Sequence, residues 1–361
     1  MEKILIMNLG STSTKLAVYE GTAEILAKTV KYSAEALAPF KEPWDQVDLR
    51  RNDVLSCLRE AGIKLEDLNL IVCRGGNFHP VPGGIYRVNE DIIADMRTGK
   101  WGVHPTGVGG LIAFQISGEL GIPAITMDPP ITDEFDDIAR YSGIKEIQRI
   151  SSFHALSLKS TARKIAREQL HKPVEELNLI LVHMGGGISV CVQKKGRVID
   201  GNNSLDGDGP FSPERAGTLP VGDLVHLCFS GKYTEKEMLK KIRGAGGWIS
   251  YLGINDGLEM ERRIEAGDKE AKNVYDAMIY QICKEIGAMA AVLCGEVDAI
   301  ALTGSLAYAD YIVDQIKRRT SFIAPIISDP GENEMRALLE GSLRFLRGEE
   351  APKPYVREAP R

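Results

Sequence analysis

The chain has 361 residues, 43% of them hydrophobic and 26% charged, with a formal net charge of -6. That length carries two domains and a substantial core. Nothing in this acidic balance suggests a nucleic-acid binder, which wants a basic stripe along its phosphate-tracking face. No apolar run reaches about 18 residues, so no membrane span is expected. "MEKILIMN" reads as a strand with no signal-peptide cleavage region behind it, and the expected localisation is cytoplasmic. Six cysteines, Cys57, Cys73, Cys191, Cys228, Cys283 and Cys294, form no CxxC pair. Most sit among apolar residues, which reads as buried free thiols rather than a zinc site or disulfide framework.

In chain order, Lys3 to Tyr19 form a β-hairpin, two β-rich runs around the small turn "GSTST". Lys64 to Ile71 leads into "VCRGGNFHPVPGGIYRV", a Gly/Pro-rich loop too long to be only a connector. "EDIIADMRTGKWG" reads as a helix ending at a glycine, and "HPTGVGGLIAFQISGELG" as a loop feeding a helix. "IPAITMDPP" is a short buried strand stopped by prolines. "SSFHALSLKSTARKIAREQL" begins with hydroxyl N-cap candidates and continues as a long amphipathic helix.

The opening pattern then returns. "LNLILVHMGGGISVCVQKKGRVIDG", Leu177 to Gly201, is again strand, small turn and strand, with His183-Met184-Gly185 lying over Asn8-Leu9-Gly10. A single repeat at that spacing predicts two related domains, each opening with a hairpin. The remainder is helix-rich: "EKEMLKKIRGAGG", "KEAKNVYDAMIYQICKEIGAMAAVLCGE" and "DYIVDQIKRR" all have helical spacing, and Ile279 to Leu293 reads as core rather than contact surface. "KKIR", Lys240 to Arg243, is a solvated helix end. "VDAIALTGSLAYADYIVDQI" reads as strand, turn and helix. "EMRALLEGSLRFLRG" is a last helix before a polar tail, Glu349 to Arg361, that frays unless docked. Alternating strands and helices predict an α/β fold. The expected domains are 1–150, joined by 336–361, and 151–335, with a cleft between them.

Three turns are built to receive an anion: Gly10 to Thr14, Gly185 to Ser189, and Thr303 to Ser305. Glycine removes the Cβ so that backbone N–H groups approach closely, and Ser and Thr add hydroxyl donors. The first is no P-loop, because Thr14 precedes Lys15 where that motif needs a glycine. The third follows a strand and opens a helix, where the dipole favours negative charge. One such turn is common in hairpins; three in this order are not.

Two phosphate hairpins plus a late strand-turn-helix is the layout of the actin, hexokinase and acetate kinase superfamily. Its ribonuclease H-like domains bind ATP between two similar lobes. "MNLGSTSTK" resembles the "NxGSSSxK" start of acetate and butyrate kinases. "CRGG" is similar to their arginine loop, "FHALS" to "FHGTSH", and "HMGGGISV" to "HLGNGSSV". The order and spacing hold to about residue 345. The length and the stretches "RGGNFHPVPGG" and "GNNSLDGDGPFSPERAG" resemble the butyrate kinase branch.

The resemblance implies ATP/ADP and Mg2+ as cofactors, a small carboxylate as acceptor, no nucleic-acid or membrane partner, and a homodimer or larger homo-oligomer. It implies that Gly10, Ser11, Thr12, Ser13 and Lys15 cradle the terminal phosphate of ATP or of an acyl phosphate. It further implies that His183, Gly185, Gly186 and Gly187, with Thr303, Gly304 and Ser305, lie near the nucleotide, and that Gly207 to Gly217 close over it. Asn8 would orient a Mg2+ water or a phosphate oxygen; the alternative is a turn Asn bonding its own backbone. Arg74 would grip a carboxylate or phosphate bidentately, against the alternative of a surface ion pair.

His154 would donate to the transferring phosphoryl and His104 would support the substrate side. His79 stays unassigned, and His171 and His226 read as structural. Asp128, at a strand's carboxyl end, would be a Mg2+ ligand or a polariser of the substrate, or else a turn Asp. Glu332 falls where the family carries a Mg2+-associated glutamate, and Glu334 is an equal candidate because the alignment slips there. The sequence departs from the family at "TLPVGD", where Pro220 replaces the arginine of "TRSGD"; either Arg215 in "SPERAG" supplies that charge or the site manages with one arginine. A sugar kinase would need convergent Asp/Asn/Glu partners for hydroxyls, and a nucleotide switch would need no carboxylate-gripping Arg74 or His154.

Overall fold

The computed structural model describes residues 2–331 and 333–357. The strands are β1 (Lys3–Leu9), β2 (Ser13–Glu20), β3 (Ala23–Lys31), β4 (Leu68–Cys73), β5 (Ile85–Arg87), β6 (Ala124–Met127), β7 (Asn178–Met184), β8 (Ile188–Lys194), β9 (Arg197–Gly201), β10 (Ala299–Gly304) and β11 (Ile326–Pro330). The α-helices are α1 (Ala34–Leu37), α2 (Val47–Glu60), α3 (Glu90–Thr98), α4 (Thr106–Leu120), α5 (Ala155–Ile165), α6 (Val221–Cys228), α7 (Glu235–Arg243), α8 (Gly247–Leu252), α9 (Gly257–Glu265), α10 (Lys269–Val292), α11 (Asp310–Thr320) and α12 (Glu334–Leu346).

The chain divides into two compact units, one of residues 1–132 with 333–361 and one of residues 133–332. Residues 133–150, assigned to the first domain from sequence, lie in the second. There Asp136 donates its N–H to the Ile199 carbonyl, and Arg149 reaches Asp200 at 2.9 Å. A buried pair, Lys159 to Glu134 at 2.8 Å, fixes the same segment.

The first unit's sheet runs β3-β2-β1-β4-β6-β5 and the second's β11-β10-β7-β8-β9. In each, an antiparallel meander (β1-β2-β3 or β7-β8-β9) is extended from its first strand by two parallel strands, β4 and β6 or β10 and β11. The repeat foreseen as a hairpin is therefore a whole five-strand topology, and β3 and β9 are the third strands that the hairpin reading lacked. In the first unit, β5 adds an antiparallel edge.

β1 is buried at every residue from Ile4 to Leu9, the continuous apolar run of a strand covered on both faces. β3 buries only Leu26 and reads as an exposed edge. In the second unit, α10 supplies the core stripe Tyr275, Met278, Ile279, Ile282 and Ile286, at the spacing of one helix face. Truncating one such isoleucine to Ala removes roughly 2–5 kcal/mol.

Local signals held at α3, whose N-cap Asn89 accepts from Ile92 N–H and which ends at Gly99 with φ 66°. They failed at α5. Its N-cap is His154, with no side-chain capping bond of its own. The hydroxyl at that end is Ser189 of β8, which accepts the His154 N–H at 3.3 Å. The C-terminal tail is docked as far as Arg357. Lys353 donates its N–H to the Ile85 carbonyl, Tyr355 bonds Asp95 and packs edge-on against Phe78, and Arg357 reaches Asp95 at 3.0 Å. Four cysteines are buried, while Cys228 and Cys294 are exposed.

Candidate active-site residues

In the first unit, the turn between β1 and β2 is organised from behind. Arg50, fully buried on α2, donates through Nη1 to the Gly10 and Ser13 carbonyls at 3.0 Å each and through Nη2 to the Ser11 carbonyl at 2.9 Å. The Thr12 carbonyl accepts the Tyr32 N–H at 2.9 Å. The carbonyls of Gly10, Ser11, Thr12 and Ser13 are thus all taken by donors. In a trans peptide each C=O points opposite to the next N–H, so the N–H groups of Ser11 and Thr12 point away from Arg50, and that of Ser13 points away from the Tyr32 N–H. Ser11 and Thr12 are exposed at the tip. Lys15 pairs with Asn8 across the strands, which puts both side chains on one face.

At the ends of the parallel strands of that unit, three groups converge. Asn8 is next to last in β1, Arg74 follows β4 and Glu334 opens α12. The Arg74 guanidinium bonds one Glu334 oxygen and the Asn8 amide donates to the other at 2.7 Å. The Arg74 Nε–H is buried without a hydrogen-bond partner among the described residues. A Cβ on Gly76 would lie 2.6 Å from Gly107 Cα, so the arginine loop runs against the start of α4.

His104 precedes that helix. Its Nδ1 accepts the Thr106 N–H at 3.2 Å and faces the Thr106 hydroxyl at 3.0 Å. In the neutral ring this places the proton on Nε2. Crowding by the surrounding protein, and after it the Arg74 charge, push the His104 pKa below its ordinary value, although one side of the residue is open to solvent. Asp128, after β6, is 1% exposed, has φ 39°, and accepts the Gly84 N–H at 2.8 Å. It therefore fastens the Gly/Pro loop, and its carboxylate is not laid open at a strand end.

In the second unit, His154 Nδ1 lies 2.8 Å from Ser189 Oγ, and the buried His183 has Nδ1 3.0 Å from Ser157 Oγ. The two imidazoles stack with centroids 4.0 Å apart. In the Gly185–Gly187 turn, the Gly186 carbonyl accepts the Ser212 hydroxyl at 2.6 Å. A Cβ on Gly187 would sit 2.2 Å from Arg215 Nη1, so only glycine lets the guanidinium lie on this turn. Arg215 also bonds the Ser204 carbonyl, and its Nε–H is buried without a partner among the described residues. Burial lowers its pKa.

β10 pairs in parallel with β7, Thr303 opposite His183. A Cβ on Gly304, at φ 92°, would meet the Met184 carbonyl at 2.2 Å. The two small turns of this unit are therefore neighbours at the carboxyl ends of adjacent strands. The third turn opens a short 3-10 segment, Ser305–Tyr308, before α11; the helix expected directly after it begins five residues later.

Within each unit the expected residues gather as follows. Asn8, Arg74 and His104 come together with Glu334, while Glu332 lies outside the described residues. His154, His183, Gly185 to Gly187 and Arg215 group with Ser189, and Thr303 to Ser305 adjoin them. Sequence reasoning missed Arg50, whose signal was available: it occupies the buried α2 stripe of Val47, Val54, Cys57 and Leu58, an apolar position holding a charge. Ser189 and Ser157 carried no separate signal.

For a Mg2+ accompanying phosphates, Asn8 and Glu334 offer hard oxygen donors of the kind that ion takes, one or two carboxylates completed by water and phosphate. Among the described residues, no group of three or more His, Cys, Asp or Glu is placed to hold a metal, and no helix is long and apolar enough to cross a membrane.

The fold is similar to that of Porphyromonas gingivalis acetate kinase (TM-score 0.75, 17% identity, covering 96% of this chain and 100% of that one). A propionate kinase from Francisella tularensis subsp. tularensis SCHU S4 is similar at TM-score 0.74 and 17% identity, over 94% of this chain and 99% of that one. Acetate kinase from Entamoeba histolytica is similar at TM-score 0.75 and 15% identity, over 96% and 100%. Residues 140–330, just over half of the chain, match the sequence profile of the Acetokinase family. With that match added to the fold, the chain belongs to the Acetokinase family.

Proposed function

We propose that the chain phosphorylates a short-chain carboxylate reversibly from ATP, with butyrate or a branched-chain analogue as acceptor. A carboxylate oxygen attacks the γ-phosphorus in line, the bond to the β–γ bridging oxygen breaks, and acyl phosphate and ADP result. Such a reaction asks little covalent work of the protein and depends on positioning and charge neutralisation.

Arg74 carries the reading. Its guanidinium is held by Glu334 and keeps one buried donor unpaired. A buried unpaired donor is costly, and an anionic acceptor repays that cost. His104 stands by as a neutral donor through Nε2. The outward N–H groups of the Gly10–Thr14 turn take the terminal phosphate, and the Gly185–Gly187 turn with Arg215 and Thr303 to Ser305 takes the nucleotide's phosphates. His154, held by Ser189, donates to the transferring phosphoryl. Mg2+, when bound, neutralises phosphate charge, and Asn8 and Glu334 would hold it. Acceptor length rests on the likeness of "RGGNFHPVPGG" and "GNNSLDGDGPFSPERAG" to the butyrate kinase branch. A homo-oligomer in the cytoplasm fits the same reading.

The test is initial rate with ATP, Mg2+ and straight and branched carboxylates of two to five carbons, with the acyl phosphate trapped. Turnover peaking at four carbons is expected. A methylene in an apolar pocket contributes about 1–3 kcal/mol, so a peak at acetate would keep the mechanism and move the specificity. ATP binding without any acyl phosphate would overturn the reading.

A further inference from the structure

Arg50 is 0% exposed, and arginine is among the residues least often found inside. Its Nε donates to Gln46 Oε1 at 2.9 Å, and the two Nη groups take three turn carbonyls and, at 3.3 Å, Thr14 Oγ1. Every one of these acceptors is neutral. No carboxylate stands within ion-pair distance of it among the described residues; Asp53 acts on it at longer range and is hydrogen-bonded to the Tyr32 hydroxyl at 2.8 Å. The Tyr32 ring lies 4.7 Å from the guanidinium. Burying a cation this way is expensive after relaxation, and a surface hairpin needs no such device to fold.

We infer that Arg50 is the positioning residue of the Gly10–Thr14 turn, turning its carbonyls inward so that its N–H groups face the transferred phosphoryl group, and placing a positive charge that bonds no carboxylate directly one peptide layer behind that phosphate. The guanidinium fork matters as well as the charge. Two nitrogens fix three carbonyls spaced along a curved backbone, a geometry that a point-like ammonium does not reproduce. Burial lowers the Arg50 pKa, yet an arginine remains charged at neutral pH. The inference rests on the reading of this turn as the terminal-phosphate site.

Arg50→Lys keeps the charge and loses the fork; Gln46→Leu loosens the Nε anchor and leaves the charge. Affinities for Mg2+-ATP and Mg2+-ADP are measured by calorimetry on the full chain, beside thermal unfolding. ATP affinity is expected to fall tenfold or more in Arg50→Lys and about threefold in Gln46→Leu, while ADP affinity stays within twofold. The carboxylate KM is expected to hold while kcat falls. A purely structural role would lower the unfolding temperature and leave the ATP-to-ADP ratio unchanged, and that result overturns the inference.

Thr12→Glu, at the exposed tip, separates the two levels. If it leaves the ATP-to-ADP ratio intact, the phosphate reading of the turn fails and the role of Arg50 with it. If it abolishes the preference for ATP while Arg50→Lys and Gln46→Leu do not, only the role of Arg50 fails. Should Arg50→Lys not fold, the comparison of Gln46→Leu with Thr12→Glu decides.

Discussion

The two units share a strand order and differ in how each arms its first turn. In the first, one glycine and four hydroxyl residues form the turn, and the cation, Arg50, is buried behind it and acts through the carbonyls. In the second, three glycines form the turn, and the cation, Arg215, lies directly on Gly187. A hydroxyl-rich turn needs its backbone aimed by an outside agent, because its residues carry side chains that restrict it. A triple-glycine turn admits a guanidinium at contact distance instead. The same topology thus carries positive charge at its first turn by two routes, behind the peptides or beside them.

The largest effect that tests this contrast is steric. Gly304→Ala would place a Cβ 2.2 Å from the Met184 carbonyl at φ 92°. The expected loss is roughly 2–5 kcal/mol from backbone strain and overpacking, read by urea unfolding. Gly10→Ala meets nothing nearer than 3.7 Å and should stay within about 0.5 kcal/mol. Equal losses would erase the difference between the two units.

Next comes Gly187→Ala, whose Cβ displaces Arg215 from the turn. Stability should fall by about 1 kcal/mol as the Ser204 hydrogen bond is disturbed, and ADP affinity by about tenfold. An unchanged ADP titration would show that the charge on this turn does not serve the nucleotide.

A smaller effect reads the strand-end cluster. Removing the Arg74 charge in Arg74→Gln should move the His104 titration upward toward the ordinary histidine value, followed by NMR of the imidazole. A His104 pKa below the unfolded value means that the unfolded chain binds the proton first. The contribution to stability is present above the ordinary histidine pKa and is lost as pH falls through the lowered one. Arg74→Gln should lessen that acid-side loss, and a downward shift would contradict the assignment.

The smallest effect lies behind the first turn. Burial, reinforced by Asp53, pushes the Tyr32 phenol up to about 12. Below the ordinary tyrosine pKa near 10 its stabilisation is complete; it is lost as pH rises from there through about 12. Tyr32→Phe should flatten this alkaline loss in pH-dependent unfolding, with no matching change for the second turn.

Much of this was legible in the chain. Continuous apolar runs marked β1 and β7, a glycine marked the end of α3, and small residues marked all three turns, because strand burial, helix termination and tight turns are decided by neighbours in sequence. The docked tail, the Ser189 hydroxyl at the start of α5 and the partner of Arg74 were not legible, since each depends on residues far apart in the chain. Glu334 shows the limit: its candidacy came from an alignment that slipped, and its contact with Arg74 exists only once α12 returns to the first sheet. By itself the sequence determined the alternation of strands and helices, the doubled hairpin and the small residues of its turns. Tertiary structure alone decided which way those turns face, because the direction of a peptide N–H is set by what holds the carbonyl before it, and in the first unit that is an arginine about forty positions away.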